Sequence, residues 1–349
     1  TPQRPRVCPP PLIPSDPMTT LLNTLAGWAS PHITVVGDVM LDELVFGDAE
    51  RLTADAPVPV LAVKRTERIP GGAANVCLNL AALKARVSIA AVVGDDEPGR
   101  VLRKALEDAG VDTSALITDP ARPTTVKRSL VGLAQHRHPQ KMFRLDIEDT
   151  TPIADDIRDK LLNAVDQLAP NAIAIEDYNK GLFRSDLAAR LIERAHASNR
   201  PTIVDPASID DYTRYAGASC ITPNRTEAER ATGLPSGNAP ELARALKHTT
   251  RCNTVVLTLD RDGALLLGAD DNPVAVPTLA REVYDVTGAG DMVLAALTAA
   301  IANGASEHDA VHFANAAAGL EVEVFGVKPI PFERVYQTVL KTAGALHGK

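Results

Sequence analysis

Tyr284-Asp285-Val286-Thr287-Gly288-Ala289-Gly290-Asp291 reads as a loop that turns into a helix. Two glycines flank an alanine, and a carboxylate follows at once. The run from Met292 to Ile301 is rich in Ala and Leu, which favour helix, and Asn303-Gly304 reads as its stop. At such a junction the first amides lack intrahelical partners and the helix dipole is positive, which suits an anion. Glycine lets the backbone approach that anion closely. A capped turn would account for Gly-Ala-Gly alone. It accounts poorly for Asp291, because a carboxylate beside a bound phosphate repels it. A base that takes a proton from an attacking hydroxyl suits that place. Val293 stands where a dinucleotide fingerprint needs its third glycine. No Gly-x-x-x-x-Gly-Lys-Ser/Thr loop occurs in the chain.

A second glycine pair lies far upstream, in Ile69-Pro70-Gly71-Gly72-Ala73-Ala74-Asn75. It precedes a small-residue helix expected over 76–83. Asn75 reads either as a cap or as an amide that donates to and accepts from ligand hydroxyls. Ile33-Thr34-Val35-Val36-Gly37-Asp38 is a short apolar run that suits a buried strand opening into a site. Asp38 and Asp42 follow its end, as turn carboxylates or as acceptors for adjacent sugar hydroxyls. Further strands are expected over 87–94, 172–177, 202–206 and 254–259, with helices over 99–109, 186–197, 289–302, 307–323 and 332–346. Strands alternating with helices imply a doubly wound, mainly parallel α/β sheet with helices on both faces and ligands at the strand C-terminal ends. Asp177-Tyr178-Asn179-Lys180-Gly181 falls at such an end, where Lys180 is an exposed loop residue or a point charge for phosphate. Two segments break the alternation. Residues 44–63 read as short strands interrupted by Pro57 and Pro59. Residues 124–148 alternate like strands and carry many bases, with His136, Arg137 and His138 at an expected hairpin tip. Asn224-Arg225-Thr226-Glu227 reads first as a capping box.

The chain has 349 residues and a formal net charge of −8. That balance, with no basic stripe, points away from nucleic acid. No apolar run has the length of a membrane span. Cys8, Cys77, Cys220 and Cys252 stand far apart without a Cys-x-x-Cys pair, which suits reduced thiols in the cytoplasm. Residues 1–30 open with five prolines within the first eleven positions, and read as a disordered extension. Met18 suggests a start closer to that point.

The Asp285-to-Asp291 string resembles the phosphate loop of the ribokinase-like (PfkB) sugar kinases, and the Gly71-Gly72-x-x-Asn75 string resembles their sugar-binding motif in the right order. The resemblance covers nearly everything from residue 31 onward. It implies one kinase domain over 31–349, with segments 44–63 and 124–148 forming a small β-sheet lid over the sugar. It implies an anion hole at Gly288, Ala289 and Gly290, with Asp291 as catalytic base. Asp38, Asp42, Gly71, Gly72 and Asn75 would bind sugar. Asn224 and Glu227 match the motif that organises Mg²⁺, held mostly through water, and the ATP phosphates. Asn315 would lie by the adenine. ATP and Mg²⁺ are the implied cofactors, and a homodimer through the lid is the expected assembly.

Several strings are similar to one subgroup. These include Gly37-Asp38-Val39-Met40-Leu41-Asp42, Pro57-Val58-Pro59-Val60, Arg144-Leu145-Asp146 and Phe313-Ala314-Asn315-Ala316-Ala317-Ala318-Gly319. That subgroup phosphorylates D-glycero-D-manno-heptose 7-phosphate at the anomeric hydroxyl in lipopolysaccharide inner-core synthesis. Some of its relatives carry a fused nucleotidyltransferase domain; a chain ending at Lys349 is expected to be the stand-alone kinase. Arg144 and Lys180 are the candidates for the 7-phosphate. One departure stands out: the subgroup often has Asp-Pro-Lys-Gly where this chain has Asp205-Pro206-Ala207-Ser208. Two alternatives stay open. One is another sugar kinase of the family, ribokinase-like or phosphofructokinase-like. The other is a non-catalytic sugar or nucleotide sensor on the same fold, against which an intact Asp291 argues.

Overall fold

The computed structural model describes residues 17–133, 139–235, 237–278, 287–324 and 326–347. Helix α1 (Pro17–Ala26) precedes the apolar strand β1 (His32–Gly37). Two strands, β2 (Val39–Leu52) and β3 (Pro59–Gly72), then lead into α2 (Ala73–Ala82). β4 (Arg86–Val93), α3 (Glu97–Asp108) and β5 (Asp112–Thr118) follow, and after them β6 (Val126–Leu133) and β7 (Gln140–Ile147). The next stretch is α4 (Asp155–Leu168), β8 (Ala172–Glu176), α5 (Leu187–Ala197), β9 (Thr202–Asp205) and β10 (Cys220–Ile221). Then come α6 (Arg225–Thr232), α7 (Ala239–Thr250), β11 (Thr254–Thr258), β12 (Ala264–Leu267) and β13 (Pro273–Val276). Three helices close the chain: α8 (Ala289–Ala302), α9 (Glu307–Val322) and α10 (Phe332–His347).

Among the described residues, nine strands form the main sheet in the order β13-β12-β11-β10-β9-β8-β1-β4-β5. Neighbours from β5 to β11 run parallel, and β12 and β13 add antiparallel edges. Alternate residues of each strand feed separate cores. Ile33, Val35, Ala172 and Ile203 pack on one face with α1, α2, α8, α9 and α10. Val36, Ile173, Ile175 and Val204 pack on the other with α4, α5 and α7. Burial on both faces is why these strands read as continuous apolar runs.

The second sheet has the order β3-β2-β6-β7. β2 and β3 are each 14 residues long, not short pieces. Pro57 lies in the turn between them and Pro59 is the first residue of β3, a position where a missing amide proton costs no ladder bond. β6 runs parallel to β2, and β7 antiparallel to β6. The expected hairpin tip at His136, Arg137 and His138 lies outside the described residues.

The expected disorder of residues 1–30 needs correction from residue 17 on. Pro17 occupies the helix start, where a proline is tolerated. Leu21 and Leu25 are buried against the first core. Trp28 stacks on Phe332 with ring centroids 5.0 Å apart, and its Nε1 donates to the Leu83 carbonyl at 2.9 Å. The proline-rich start obscured this short apolar spacing. Residues 1–16, Cys8 among them, lie outside the described residues. Cys77, Cys220 and Cys252 are free and buried.

Candidate active site

The chain leaves β1 toward β4 and β5 on one side, then returns to build β8 to β13 on the other. The order reverses between β1 and β8, so a crevice opens at their C-terminal ends, where ligands settle in open α/β sheets. Asp38 follows β1, Asp177 to Lys180 follow β8, and Asp205 ends β9. The start of α8 packs over β8 and β9. Gly288 caps α8 with a φ of 92°, a left-handed conformation that glycine adopts without penalty. Thr287, Gly288, Ala289 and Gly290 thus present a helix start to the crevice. Tyr284, Asp285 and Val286 lie outside the described residues.

Asp291 is buried in the first turn of α8. Asn75 Nδ2 donates to its Oδ2 at 2.7 Å, across 216 residues of sequence. The Tyr178 hydroxyl donates to its Oδ1 at 3.0 Å. Burial raises the Asp291 carboxyl to about 6, against the lowering effect of those two hydrogen bonds and of Lys127. A carboxylate so placed is ionised near neutrality yet basic enough to accept a proton. Other carboxylates crowd the same crevice. Glu176 is pushed well above the ordinary range, by burial first and then by Asp205 and Asp291. Asp205 is pushed up by burial, Glu227 and Asp291. A Cβ on Gly290 would stand 3.2 Å from Asp205 Oδ2, so the glycine lets that carboxylate close on the loop.

Asn75 lies in α2, just after the second glycine pair. Gly72 has a φ of 57°, and a Cβ there would come within 2.6 Å of the Asp38 carbonyl oxygen. Asp42 Oδ2 sits over Gly71, 2.4 Å from where a Cβ would be. Asp42, Asn75 and Asp291 therefore converge. Asp38 is engaged differently. Its Oδ2 accepts the amides of Tyr178 and Lys180, both at 3.0 Å, so it pins the loop after β8. Burial, then the Asp177 charge, pushes its carboxyl to about 7.

The candidate phosphate ligands diverge. Lys180 Nζ is 2.5 Å from Glu148 Oε2 and lines a small cleft with Arg122 and Asp149. Arg144, on β7, pairs with Asp146 at 2.8 Å. The register places Asp42 opposite Lys127, Lys127 opposite Asp146, and Ser129 opposite Arg144, so these side chains share one face of the lid sheet. Lys127, Lys141 and Arg144 all act on Asp42, whose carboxyl is nonetheless raised by burial. Lys127 also lies with Nζ 4.8 Å from the centre of the Tyr178 ring. Sequence reasoning singled out neither Lys127 nor Tyr178 nor Asp205. Their signals were a base in a strand-like alternation and polar residues at two strand ends.

Asn224 and Glu227 form a complete capping box on α6, with Glu227 N to Asn224 Oδ1 at 3.0 Å and Asn224 N to Glu227 Oε2 at 2.8 Å. Burial raises the Glu227 carboxyl. Among the described residues no three His, Cys, Asp or Glu side chains group as a metal cage. A hard oxygen donor set of one or two carboxylates fits Mg²⁺ held chiefly through water and phosphate. Asn315 Nδ2 donates to the Pro277 carbonyl at 2.5 Å. Its neighbours Ala316, Gly319 and Leu320 line a cleft of about 600 Å³ with Thr278, Arg334 and Lys341. Ala207, where the subgroup often has Lys, is buried, and its amide donates to the Tyr215 hydroxyl at 3.1 Å. No helix among the described residues is long and apolar enough to cross a membrane.

The family profile described as pfkB family carbohydrate kinase matches residues 30–333. The bifunctional protein HldE of Geobacter metallireducens is 42% identical over 301 residues, 85% of this chain and 60% of that protein. HldE of Paramagnetospirillum magneticum is 40% identical over 299 residues, 84% of this chain and 60% of that protein. The chain thus spans about 60% of the length of these curated relatives. Among solved structures, Escherichia coli phosphofructokinase-2 in complex with potassium aligns with a TM-score of 0.75 at 18% identity, covering 90% of this chain and 100% of that one. Arabidopsis thaliana ribokinase complexed with ribose and ATP aligns at 0.69 with 21% identity, covering 89% and 99%. At these identities the structural likeness speaks for the fold: a ribokinase-like α/β sheet with a separate lid sheet.

Proposed function

The chain belongs to the pfkB family of carbohydrate kinases and is a sugar kinase that uses ATP, and we propose that its acceptor is D-glycero-D-manno-heptose 7-phosphate. The product is then the 1,7-bisphosphate, made in the cytoplasm, where ATP is at hand, on the route to the ADP-heptose of the lipopolysaccharide inner core. The subgroup strings support this acceptor. The fused domain known in some members of that subgroup accords with the longer relatives called bifunctional. The observation that carries the chemistry is Asp291, buried at the loop–helix junction with both oxygens held by donors.

In this reading Asp291 takes the proton from the anomeric hydroxyl as that oxygen attacks the γ-phosphorus of ATP in line. The amides at the start of α8, from Gly288 to Gly290, meet charge on the moving phosphoryl group. Asp42 and Asn75 orient the sugar; Asn75 Oδ1 has no partner among the described residues and is left for a hydroxyl. Asp38 serves by holding the loop that carries Tyr178 and Lys180. Asn224 and Glu227 would hold Mg²⁺ through water, and the ion when bound offsets charge on the ATP phosphates. The cleft beside Asn315 is the place for the adenine. Arg144, with Lys127 and Lys141 on the same lid face, supplies positive charge for the distal phosphate, a task for which Lys180, paired with Glu148, is less free.

An ATP-turnover panel tests the acceptor: heptose 7-phosphate, unphosphorylated heptose, fructose 6-phosphate and ribose, each with Mg²⁺. Heptose 7-phosphate should give the highest kcat/KM, by about tenfold or more, the scale of one well-made phosphate contact. A higher kcat/KM for fructose 6-phosphate or ribose would transfer the assignment to the corresponding branch of the family. Absence of turnover with every sugar would favour the sensor.

A further inference from the structure

We propose that Tyr178 is a positioning residue for the base: its hydroxyl fixes the Asp291 carboxylate and sets the pH at which that carboxylate can accept the substrate's proton. The inference rests on the reading of Asp291 as the base and adds to it a residue that no part of that reading requires.

Three observations meet at this side chain. Its hydroxyl donates to Asp291 Oδ1 at 3.0 Å, opposite the Asn75 amide on Oδ2. A carboxylate gripped at both oxygens cannot rotate about its terminal bond, so its remaining lone pairs point in fixed directions. The backbone under the ring is itself held. Asp38 Oδ2 accepts the Tyr178 amide, and Asp177 Oδ1 accepts the Asn179 amide at 2.7 Å. Asp177 is in turn bound by the Tyr215 hydroxyl at 2.7 Å and by Arg214 at 3.2 Å. Finally, the ring lies beside Lys127 of the lid strand β6. Tyr178 is thus where the main sheet, the base and the lid touch.

The direction of its effect follows from the groups around Asp291. Asp42 on β2 raises it by its charge, the buried acids Glu176 on β8 and Asp205 on β9 are each pushed up in turn by Asp291, and the Glu321 carboxylate on α9 stands 3.1 Å from where a Cβ on Gly288 would be. Lys127 is the cation that acts on it from the lid. In such surroundings an ionised carboxylate depends on hydrogen-bond donors, and a donor to the charged form lowers its pKa. The phenol is pushed well above its ordinary value, first by Asp291 itself, so it remains a neutral donor throughout the working range.

The test is the pH dependence of kcat from pH 5 to 9, by ATP turnover of the full chain with saturating ATP, Mg²⁺ and the best sugar phosphate of the panel above. Tyr178→Phe keeps the ring beside Lys127 and removes only the donor. Its acid limb should move to higher pH by about half a unit or more, with KM for the sugar nearly unchanged. Replacing Tyr178 with 3-fluorotyrosine, a stronger donor of the same shape, should move the acid limb to lower pH. Shifts of opposite sign are not produced by a packing defect, and the second variant decides the matter if the first folds poorly. Acid limbs that coincide with wild type in these variants overturn the proposal and leave Asp291 as the base. Asp291→Asn tells the two apart: full turnover in that variant removes the base and this role of Tyr178 together.

Discussion

Asp291 has a side-chain donor on each oxygen, Asn75 on Oδ2 and the Tyr178 hydroxyl on Oδ1. Replacing it with Asn keeps the shape while removing the proton acceptor, and one of the two contacts must then reverse its direction because an amide nitrogen donates. Asp291→Asn should lower kcat by about 10² or more, the scale of general-base catalysis, while sugar and ATP binding measured by isothermal titration change little. Glu227 makes a different case, since its capping bond and its proposed metal role share one carboxylate. Glu227→Gln can keep the bond to the Asn224 amide. It should therefore raise the Mg²⁺ concentration for half-maximal rate several-fold, the order expected when one carboxylate leaves a water-rich Mg²⁺ site, with the melting temperature nearly constant. Loss of melting temperature without a change in Mg²⁺ dependence would leave only the cap. Asp291, Asn75, Asp42 and the glycine loop were legible in the sequence because each sits in a short motif whose backbone demands particular residues. Tyr178 and Lys127 were not, because they depend on which strand end lies under which lid residue, and that pairing joins segments about fifty residues apart. For Asp38 the sequence left two directions open, toward the ligand or toward the neighbouring loop, and the crossing of β1 and β8 puts its Oδ2 on the loop amides.

At the scale of elements, the lid sheet has two unlike faces. Lys127, Arg144 and Asp42 lie on one. Phe143, Leu145 and Ile147 alternate with Arg144 and Asp146 along β7 and lie on the other, with exposures of 64%, 41% and 42%. β7 is also an edge strand, and exposed apolar edges invite pairing. A second copy of the chain meeting this face would give the expected homodimer. Phe143→Glu combined with Leu145→Glu should then shift the mass by light scattering from dimer to monomer at micromolar concentration, with the far-UV spectrum intact. A monomeric wild type would end the dimer reading. The closing helices α8 and α9 were legible almost to the residue, since their Ala-rich runs and caps are local signals. The extent of β2 and β3 was not, because ladder length is set by the partner strand. The fold of Arg68 and Arg128 about Glu43, at 3.0 Å and 2.5 Å, belongs to the same category: a buried carboxylate in a strand finds its cations on two other segments, and Arg68 reaches on to Glu97 of α3.

For the molecule as a whole, the crowding of acids at one crevice has a thermodynamic sign. Asp38 and Asp291, raised to about 7 and about 6, bind protons more tightly folded than unfolded. Their contribution to stability is fully present below the unfolded value near 3.8 and is lost as pH rises through the folded values. Melting temperature should therefore rise between pH 8 and pH 6.5, by about 1–2 °C for about 1 kcal/mol in a chain of this size. Below that window His32 and His312, lowered by burial, pull the other way. A melting temperature that falls steadily from pH 8 to pH 6.5 in calorimetry would mean that these carboxylates gain stabilising partners when ionised. The bond from Asn75 to Asp291 has one more consequence. The exposed turn after β12, at residues 269–272, divides the chain into a long piece carrying both hydrogen-bond donors of Asp291 and a short piece carrying Asp291 itself. Neither fragment could turn over alone, so catalysis by a mixture of the two would be a direct readout of their noncovalent reunion, and the enzyme could be used as its own split reporter.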